Sequence, residues 1–255
     1  MTPYYESPRG IAEYLLFHFG SPEETFDFGE FHFDEYTNYP VRCLRQGFDP
    51  DKLIRADDGP TRALDLGCAV GASTFELSRF HDETIGIDFS HSFIRSANEF
   101  LNKGHLDIQV SLEGNLTREL RINLPEGIKA GDHKIRFEQG DAANLRKDIG
   151  QFQTVFAGNL IDRLPDPEVF LESLSEITLP GSQLILTSPY TWLSEYTTEE
   201  KWLQRGDADT FEGIRKILEP QFACSRQFNI PFILREHRRK YQLTLAHASS
   251  WVRVK

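Results

Sequence analysis

The sequence predicts an α/β fold, with a mostly parallel sheet of seven strands and helices on both of its faces. Apolar strand-like segments alternate with helix-length segments from about residue 62 to 219, which is the pattern of parallel βαβ units. The last two strands, near 222–234 and 241–252, lie too close together for a helical crossover. They are therefore expected to pair antiparallel at one edge of the sheet.

The elements can be placed in chain order. An amphipathic helix over 8–19 precedes a loop rich in aromatic and acidic residues that runs to about residue 53. The first five strands are expected at 62–66, 84–89, 135–139, 154–158 and 183–187. Helices are expected at about 73–79, 91–103, 165–177 and 208–219. Two Gly-containing breaks in residues 105–135 favour an inserted β-hairpin.

Two parts of the chain are distinguished by this pattern. Residues 1–58 are predicted to form an N-terminal helix and a lid segment, with Phe26–Tyr39 as the lid. Residues 59–255 are predicted to form the ligand-binding domain, with the hairpin inserted at about 105–135.

Composition narrows the class of protein. The chain has 255 residues, 39% of them hydrophobic, which is enough to bury a substantial core. Its net charge of −11 makes a phosphate backbone an unfavourable partner, so a nucleic-acid substrate is not expected. Three scattered cysteines suit a reducing compartment, and no segment is long and apolar enough to span a bilayer. A cytoplasmic protein without a membrane association is expected.

The first chemical signal is the segment LDLGCAVG at residues 64–71. Gly67 lets the backbone turn sharply near a ligand, and Gly71 allows a close approach at the start of the following helix. A dinucleotide site would have G-x-G-x-x-G, which is absent here. Asp65 would repel phosphates but can help hold a cationic amine, so the ligand is expected to be a nucleoside that carries an amino acid. A plain strand–turn–helix remains the alternative.

Polar residues follow three further strands. Asp88 ends the second strand, where its carboxylate can accept hydrogen bonds from both hydroxyls of a ribose; helix capping is the alternative. Asp141, in Gly-Asp-Ala after the third strand, is predicted to take an adenine amino group, with a simple turn as the alternative. Asn159 follows the fourth strand, where a methyl group would be presented.

Four strand ends with these residue types in this order resemble class I S-adenosylmethionine-dependent methyltransferases, from about residue 60 to the end. The resemblance implies a Rossmann-like fold, S-adenosyl-L-methionine as cofactor, S-adenosyl-L-homocysteine as product, and no metal. The loop around Tyr39 and Arg42 is predicted to fold over the cofactor, with packing as the alternative. The cofactor contacts are expected from Tyr39, Arg42, Asp65, Gly67, Cys68, Gly71, Asp88, Phe89, Asp141, Ala142 and Asn159.

Longer stretches are similar to the methyltransferase module of ovothiol biosynthesis. They are DLGCAVGASTFELSRF, IGIDFSHSFIRSAN, FEQGDAANL, SPYTWLSEYTTEEKW and PFILREHRRKYQLTLAHASSW. This family methylates an imidazole ring nitrogen of 4-mercaptohistidine (5-thiohistidine), and many members follow an iron-dependent sulfoxide synthase in one fused chain. The resemblance implies a stand-alone enzyme or an excised module, with such a synthase as its functional partner.

The substrate contacts and catalytic roles are expected from Asn159, Tyr190, Arg235 and His237. Arg235 can pair with a carboxylate or thiolate, and His237 or Glu236 can orient the ring, although the REHRRK run also fits a solvated charged segment. Tyr190 or Trp192 can face the sulfonium with cation–π attraction of about 0.5–2 kcal/mol, and packing against the next helix is the alternative.

Other assignments are left open or weakened. His18 and His32 are assigned to packing or surface, and no grouping of His, Cys and Asp has metal-ligand spacing. A dehydrogenase lacks its glycine motif, and an α/β hydrolase lacks G-x-S-x-G. A methyltransferase of another small thiol or heterocycle, and a non-catalytic S-adenosylmethionine-binding domain, are the remaining alternatives.

Overall fold

The computed structural model describes residues 4–29, 33–55 and 59–255. The strands of these residues, numbered in chain order, are β1 Arg62–Leu66, β2 Glu83–Asp88, β3 His105–Glu113, β4 Leu116–Asn123, β5 Ile135–Gln139, β6 Phe152–Gly158, β7 Thr178–Ser188, β8 Phe222–His237 and β9 Lys240–Arg253. The α-helices are α1 Pro8–Phe19, α2 Pro22–Thr25, α3 Tyr39–Gly47, α4 Ala72–Leu77, α5 His91–Lys103, α6 Pro167–Ile177 and α7 Thr210–Leu218. Short 3₁₀ helices include Tyr4–Glu6 and Ile161–Arg163.

Seven strands form one sheet in the order β5-β2-β1-β6-β7-β9-β8. The strands β5, β2, β1, β6 and β7 are parallel, with Leu64 of β1 opposite Ile85 on one side and Val155 on the other. The strand β9 runs antiparallel between β7 and the edge strand β8. The predicted α/β fold with an antiparallel pair at one edge of the sheet is confirmed.

Both faces of the sheet are covered, as alternation along the central strand requires. Leu64 and Leu66 point into a core shared with α6 and α7. Ala63, the residue before Leu64, faces the other way and belongs to a second core that contains Cys43 and Leu44 of α3. Each face therefore has its own apolar layer. Because the five strands are parallel, their carboxyl ends meet at one rim of the sheet.

The predicted hairpin insertion is present as a separate two-stranded sheet of β3 and β4. Its buried residues Ile108, Val110 and Ile122 share a core with Leu15 and Leu16 of α1. The hairpin and the first helix therefore support each other beside the main sheet. A two-stranded sheet needs such a packing partner, since an isolated hairpin is marginally stable.

The loop predicted for residues 26–53 is wrong in part, because α3 occupies Tyr39–Gly47. Pro40 lies in the first turn of this helix, where its missing N–H costs nothing, and Asn38 precedes it with a φ of 51°. The apolar face of α3 was not recognised in the sequence because aromatic and acidic residues precede it. Residues 30–32, with His32, and residues 56–58 lie outside the described residues, so the predicted lid is described only in part.

No helix within the described ranges is long and apolar enough to cross a membrane.

Candidate active site

A cavity of about 1100 Å³ opens at the carboxyl ends of the parallel strands. Ligand pockets in proteins are typically about 300–1,000 Å³, so this one has room for a nucleoside cofactor and a small second molecule. Gly67, Asp88, Asp141 and Asn159, one from each of the four predicted strand ends, line this cavity. The tertiary fold thus brings together four residues that lie far apart in the sequence.

The glycine loop after β1 is bent tightly over β2. The backbone N–H groups of Gly67 and Cys68 both donate to the carbonyl oxygen of Ile87, at 2.8 and 3.0 Å. Gly67 and Gly71 have φ values of 71° and 96°, which glycine adopts without strain. Gly67 and Ala69 line the cavity, whereas Cys68 and Gly71 are not among its lining residues. Cys68 is buried, and Gly71 packs close to the ring of Phe137.

Asp65 is placed behind the loop rather than in the cavity wall. It is fully buried, and one carboxylate oxygen accepts hydrogen bonds from the hydroxyls of Ser73 and Thr74, each at 2.6 Å. Burial raises the pKa of Asp65 to about 6. Asp65 therefore ties β1 to α4, and Ser73 is the member of this group that lines the cavity.

Asp88 lines the cavity with both of its oxygens held by the backbone. The N–H of Ala69 donates to Oδ2 and the N–H of Ser90 donates to Oδ1, both at 2.8 Å. Burial raises the pKa of this carboxyl, against the effect of these two hydrogen bonds. The hydroxyl of Ser90, not Asp88, caps α5 by accepting from the N–H of Phe93. The alternative role of Asp88 as a helix cap is thus taken by another residue.

The residues that follow β2 and β5 also line the cavity, and they include both apolar and acidic side chains. The ring of Phe89 is 74% exposed, which is unusual for a large apolar side chain and leaves it free to stack on a planar group. Asp141 and Ala142 also line the cavity, and Oδ1 of Asp141 accepts from the N–H of Ala143 at 2.9 Å. Asp141 therefore makes a turn and faces the ligand space as well.

Asn159 is held by side chains from two other elements. The hydroxyl of Tyr39 lies 2.7 Å from Oδ1 of Asn159 and 2.8 Å from the hydroxyl of Thr187. Thr187 also lies 3.3 Å from Oδ1, and its carbonyl accepts the N–H of Asn159. With Oδ1 occupied as an acceptor, the amide NH₂ of Asn159 is the group left for the cavity. Tyr39, predicted as part of a lid, is instead a buried member of this site.

Several predicted site residues do not line the cavity. Arg235 is buried, and its guanidinium donates to the carbonyl oxygens of Glu24 and Thr25, at 3.1 and 2.9 Å. Arg42 donates to the carbonyls of Thr37 and Pro231, which joins α3 to β8. Both arginines thus use their donors on backbone carbonyl groups of distant segments rather than on a ligand in the cavity.

Two further predicted residues have partners outside the cavity. The hydroxyl of Tyr190 lies 2.7 Å from Nδ1 of His247, and its ring packs against the core under α6 and α7, as the packing alternative states. His237 stands at the turn between β8 and β9, where its Nδ1 accepts from the N–H of Arg239 at 3.3 Å. Glu236, considered with His237, does line the cavity.

Residues near the N-terminus close the other side of the cavity, and sequence patterns did not indicate them. Tyr5, Glu13, Tyr14 and Phe17 line it from the first 3₁₀ helix and from α1. Glu13 is buried and pairs with Arg9 at 2.7 Å, and it also accepts a hydrogen bond from Tyr4. A buried charged residue on an otherwise apolar helix is a signal that can be found in a sequence, since such residues are rarely buried without a partner.

His18, assigned to packing or surface, is buried and also lines the cavity. Its Nδ1 accepts the N–H of Ala72 at 3.3 Å, so the proton of the neutral ring is on Nε2. Burial lowers the pKa of His18 to about 3. The ring therefore presents a neutral N–H donor beside the glycine loop.

In the part of the chain that the structure describes, no cluster of three or more His, Cys, Asp or Glu side chains is arranged to hold a metal ion.

Comparison with known proteins agrees with this architecture. Residues 64–186 match the family described as "Methyltransferase domain". The chain is 24% identical over 226 residues to sterol 24-C-methyltransferase of Candida albicans, covering 85% of this chain and 50% of that protein. The chain thus spans about half the length of the curated relatives it matches.

Two solved structures share the fold. An S-adenosylmethionine-dependent methyltransferase from Clostridium acetobutylicum aligns with a TM-score of 0.53 and 14% identity, over 91% of this chain and 96% of that one. The N-methyltransferase NodS from Bradyrhizobium japonicum, in complex with S-adenosyl-L-homocysteine, aligns with a TM-score of 0.52 and 12% identity, over 96% and 99% of the two chains. The chain therefore has the Rossmann-like fold of these methyltransferases, and its residues 64–186 are similar to the methyltransferase domain family.

Proposed function

We propose that this chain is an S-adenosylmethionine-dependent methyltransferase that methylates a nitrogen of a small molecule, with the imidazole ring of 4-mercaptohistidine as the acceptor. The observation that carries the proposal is that one cavity is lined both by the residues of the four strand ends and by aromatic and charged side chains near the N-terminus. The match to a methyltransferase domain supports the reaction class. The acceptor is proposed from the resemblance of the sequence to the ovothiol family.

The side chains and backbone groups at the strand ends, together with His18, have the chemistry that the cofactor requires. We expect Asp88 to accept from the ribose hydroxyls, Phe89 to stack on the adenine, and Asp141 to take the adenine amino group. The backbone of Gly67 and the N–H donor of His18 are suited to the amino-acid end of the cofactor. These roles use groups that the fold leaves open to the cavity.

When bound, S-adenosylmethionine supplies an electrophilic methyl group. The protein residues position the acceptor against it, and well-oriented reactants gain about 7–11 kcal/mol of the barrier in this way. Asn159, fixed by Tyr39 and Thr187, lines the cavity directly after β6, where we expect its amide to face the reacting groups. Aromatic side chains such as Tyr14 and Phe232 exclude water from the reacting groups.

The cellular setting is proposed on the same grounds. Cys43, Cys68 and Cys224 are all free thiols, which suits the reducing cytoplasm. An iron-dependent sulfoxide synthase of the same pathway is the expected functional partner.

The test is a calorimetric titration with S-adenosylhomocysteine and then with 4-mercaptohistidine, followed by mass spectrometry of a turnover mixture. We expect both to bind and the thiohistidine to gain one methyl group. Cofactor binding without this product would remove the ovothiol assignment and keep a methyltransferase of another small thiol or heterocycle. A chain that does not bind S-adenosylhomocysteine would contradict the proposed function altogether.

A further inference from the structure

One carboxylate oxygen in the cavity wall has no donor. Asp162, in the 3₁₀ helix after β6, has a side chain that is 1% exposed. Its Oδ2 accepts from Nη1 of Arg163 and from the N–H of Thr191, both at 3.0 Å. Its Oδ1 is buried and has no hydrogen-bond partner among the described residues, although Asp162 lines the cavity.

Buried carboxylate oxygens without donors are costly, so each one needs a reason. Eight buried side-chain polar atoms of the described residues have no hydrogen-bond partner, and among the residues that carry them Asp162 is the one that lines the cavity. Asp65 has a similar unpartnered oxygen but lies behind the glycine loop. The position of Asp162 therefore points to a donor that arrives with a ligand.

The surroundings hold this carboxylate in a fixed orientation. Nη1 of Arg163 also donates to the backbone carbonyls of Asp162 and Thr191, at 2.9 and 2.8 Å. The guanidinium lies 5.3 Å from the ring centroid of Tyr196, and Tyr5 and Tyr196 both line the cavity beside it. Since Arg163 already satisfies Oδ2, the open Oδ1 needs a single additional hydrogen-bond donor.

We propose that Oδ1 of Asp162 accepts a hydrogen bond from a ring or amine N–H of the acceptor molecule. This inference rests on the proposed function and deepens it, because it assigns the substrate to the class of nitrogen bases that carry an N–H. Acceptors that offer a thiol, a thioether or a carbon atom alone make a weaker hydrogen bond or none. A buried carboxylate also stabilises the positive charge of a protonated or alkylated nitrogen base.

The test compares two ligands of nearly the same shape, benzimidazole with its N–H and benzothiazole with sulfur in that position. Their binding to the wild-type protein saturated with S-adenosylhomocysteine is measured by ligand-observed NMR. We expect benzimidazole to bind at least about tenfold more tightly, as a charge-assisted hydrogen bond provides. Equal affinities, or no binding of benzimidazole at millimolar concentration, would overturn the inference. Because neither ligand is turned over in this assay, the result does not depend on activity.

The second arm uses the isosteric Asp162→Asn variant, with Asp166→Asn as its matched control. Asp166 caps α6 from outside the cavity and pairs with Lys201, and asparagine caps a helix equally well. We expect Asp162→Asn to remove the preference for benzimidazole while affinity for S-adenosylhomocysteine stays within about twofold, and Asp166→Asn to keep the preference. If Asp162 only holds its loop, the variant would weaken both ligands equally and lower the melting temperature.

Failure of this inference can be told apart from failure of the proposed function. Loss of S-adenosylhomocysteine binding by the wild-type protein would reject the methyltransferase. Retained cofactor binding without a preference for benzimidazole would reject only the role of Asp162. Methylation of 4-mercaptohistidine that is equally fast in the wild type and Asp162→Asn would also overturn that role.

Discussion

Three aspartates at or near the strand ends of this sheet have different environments, with Asp65 and Asp162 buried and Asp88 half-buried. Asp65 is held by two hydroxyls, Asp88 by two backbone N–H groups, and Asp162 by an arginine and one N–H. Burial raises the pKa of each carboxyl, and the nearby donors and Arg163 oppose this shift. Of these three aspartates, Asp88 and Asp162 line the cavity and Asp65 does not.

The first prediction concerns Asp88. Asp88→Ala is expected to weaken S-adenosylhomocysteine binding at least about tenfold, or about 1.4 kcal/mol, because hydrogen bonds to the ribose are lost. Calorimetric titration measures the change. Asp107→Ala, which removes an exposed carboxylate paired with Arg121 on the hairpin, is the control. Unchanged affinity in Asp88→Ala would reject the role of this residue.

A second prediction concerns the hydroxyl of Tyr39. Burial raises its pKa well above the ordinary value for tyrosine, so it stays protonated and fixes Asn159. Tyr39→Phe is expected to lower kcat/KM by about tenfold, the value of one buried hydrogen bond, with little change in cofactor affinity. Steady-state kinetics and calorimetry check this. Tyr36→Phe serves as the control, and an equal loss in both variants would contradict the assignment.

At the scale of elements, the strand–loop–helix unit of residues 62–77 determines the shape of the site. The loop crosses the end of β2, where it donates two backbone hydrogen bonds to the carbonyl oxygen of Ile87 and one to the carboxylate of Asp88. The turn has positive φ values at Gly67, Ala69 and Gly71, which the two glycines adopt without strain, whereas Ala69 is held by the hydrogen bond from its N–H to Asp88. Gly71 is the position where a side chain is least tolerated.

A third prediction follows from that geometry. A Cβ at residue 71 would lie 2.5 Å from ring atoms of Phe137, and the φ of 96° is unfavourable for alanine. Gly71→Ala is therefore expected to lower the free energy of unfolding by at least about 2 kcal/mol. Urea unfolding measures it. Gly59→Ala, at a position with open space around it, should change stability by less than about 0.5 kcal/mol. Similar values for both would contradict the packing argument.

At the scale of the whole molecule, the wall of the cavity is formed by residues from several separate elements. The cavity lies between the strand ends and the N-terminal residues, and α1 is itself supported by the hairpin of β3 and β4. His18 of α1 contacts the start of α4 across this space. The wall of the cavity is therefore completed by a helix that precedes residues 64–186, the part that matches the family model.

The fourth prediction is a pH dependence of stability. His18 stays neutral in the fold down to about pH 3, whereas its ordinary pKa is 6.5. Between these values the unfolded chain binds more protons, so stability falls as the pH is lowered from 6.5 towards 3. Asp65, with a pKa raised from 3.8 to about 6, acts in the opposite direction over its own range. The contribution of His18 is therefore isolated with a variant.

Urea unfolding of wild type and His18→Gln at pH 7.5 and pH 4 measures this contribution. The variant lacks the titrating group, so its loss of stability on acidification is expected to be smaller than that of the wild type by about 3 kcal/mol. His91→Gln, at an exposed position, is the control and should behave as the wild type does. An unchanged difference between the two pH values in His18→Gln would contradict the buried neutral state of this ring.

The sequence by itself determined the α/β class, the bounds of most strands and the residues at the four strand ends. These features are local, because a period of two or of 3.6 residues and a glycine at a turn report backbone geometry directly. Gly67, Asp88, Asp141 and Asn159 were predicted from such patterns, and all four line the cavity. The helix α3 was missed, since its short apolar face is surrounded by aromatic and acidic residues.

Only the tertiary structure decided which side chains meet across the cavity. Tyr39 and Asn159 are 120 residues apart, and His18 and the N–H of Ala72 are 54 residues apart. Arg235, expected at the substrate, is instead turned towards buried carbonyl groups of residues 24 and 25. Burial makes each unpaired polar group costly, so a buried side chain pairs with the donors or acceptors that pack around it. Those neighbours come from distant parts of the sequence and are set only by the folded chain.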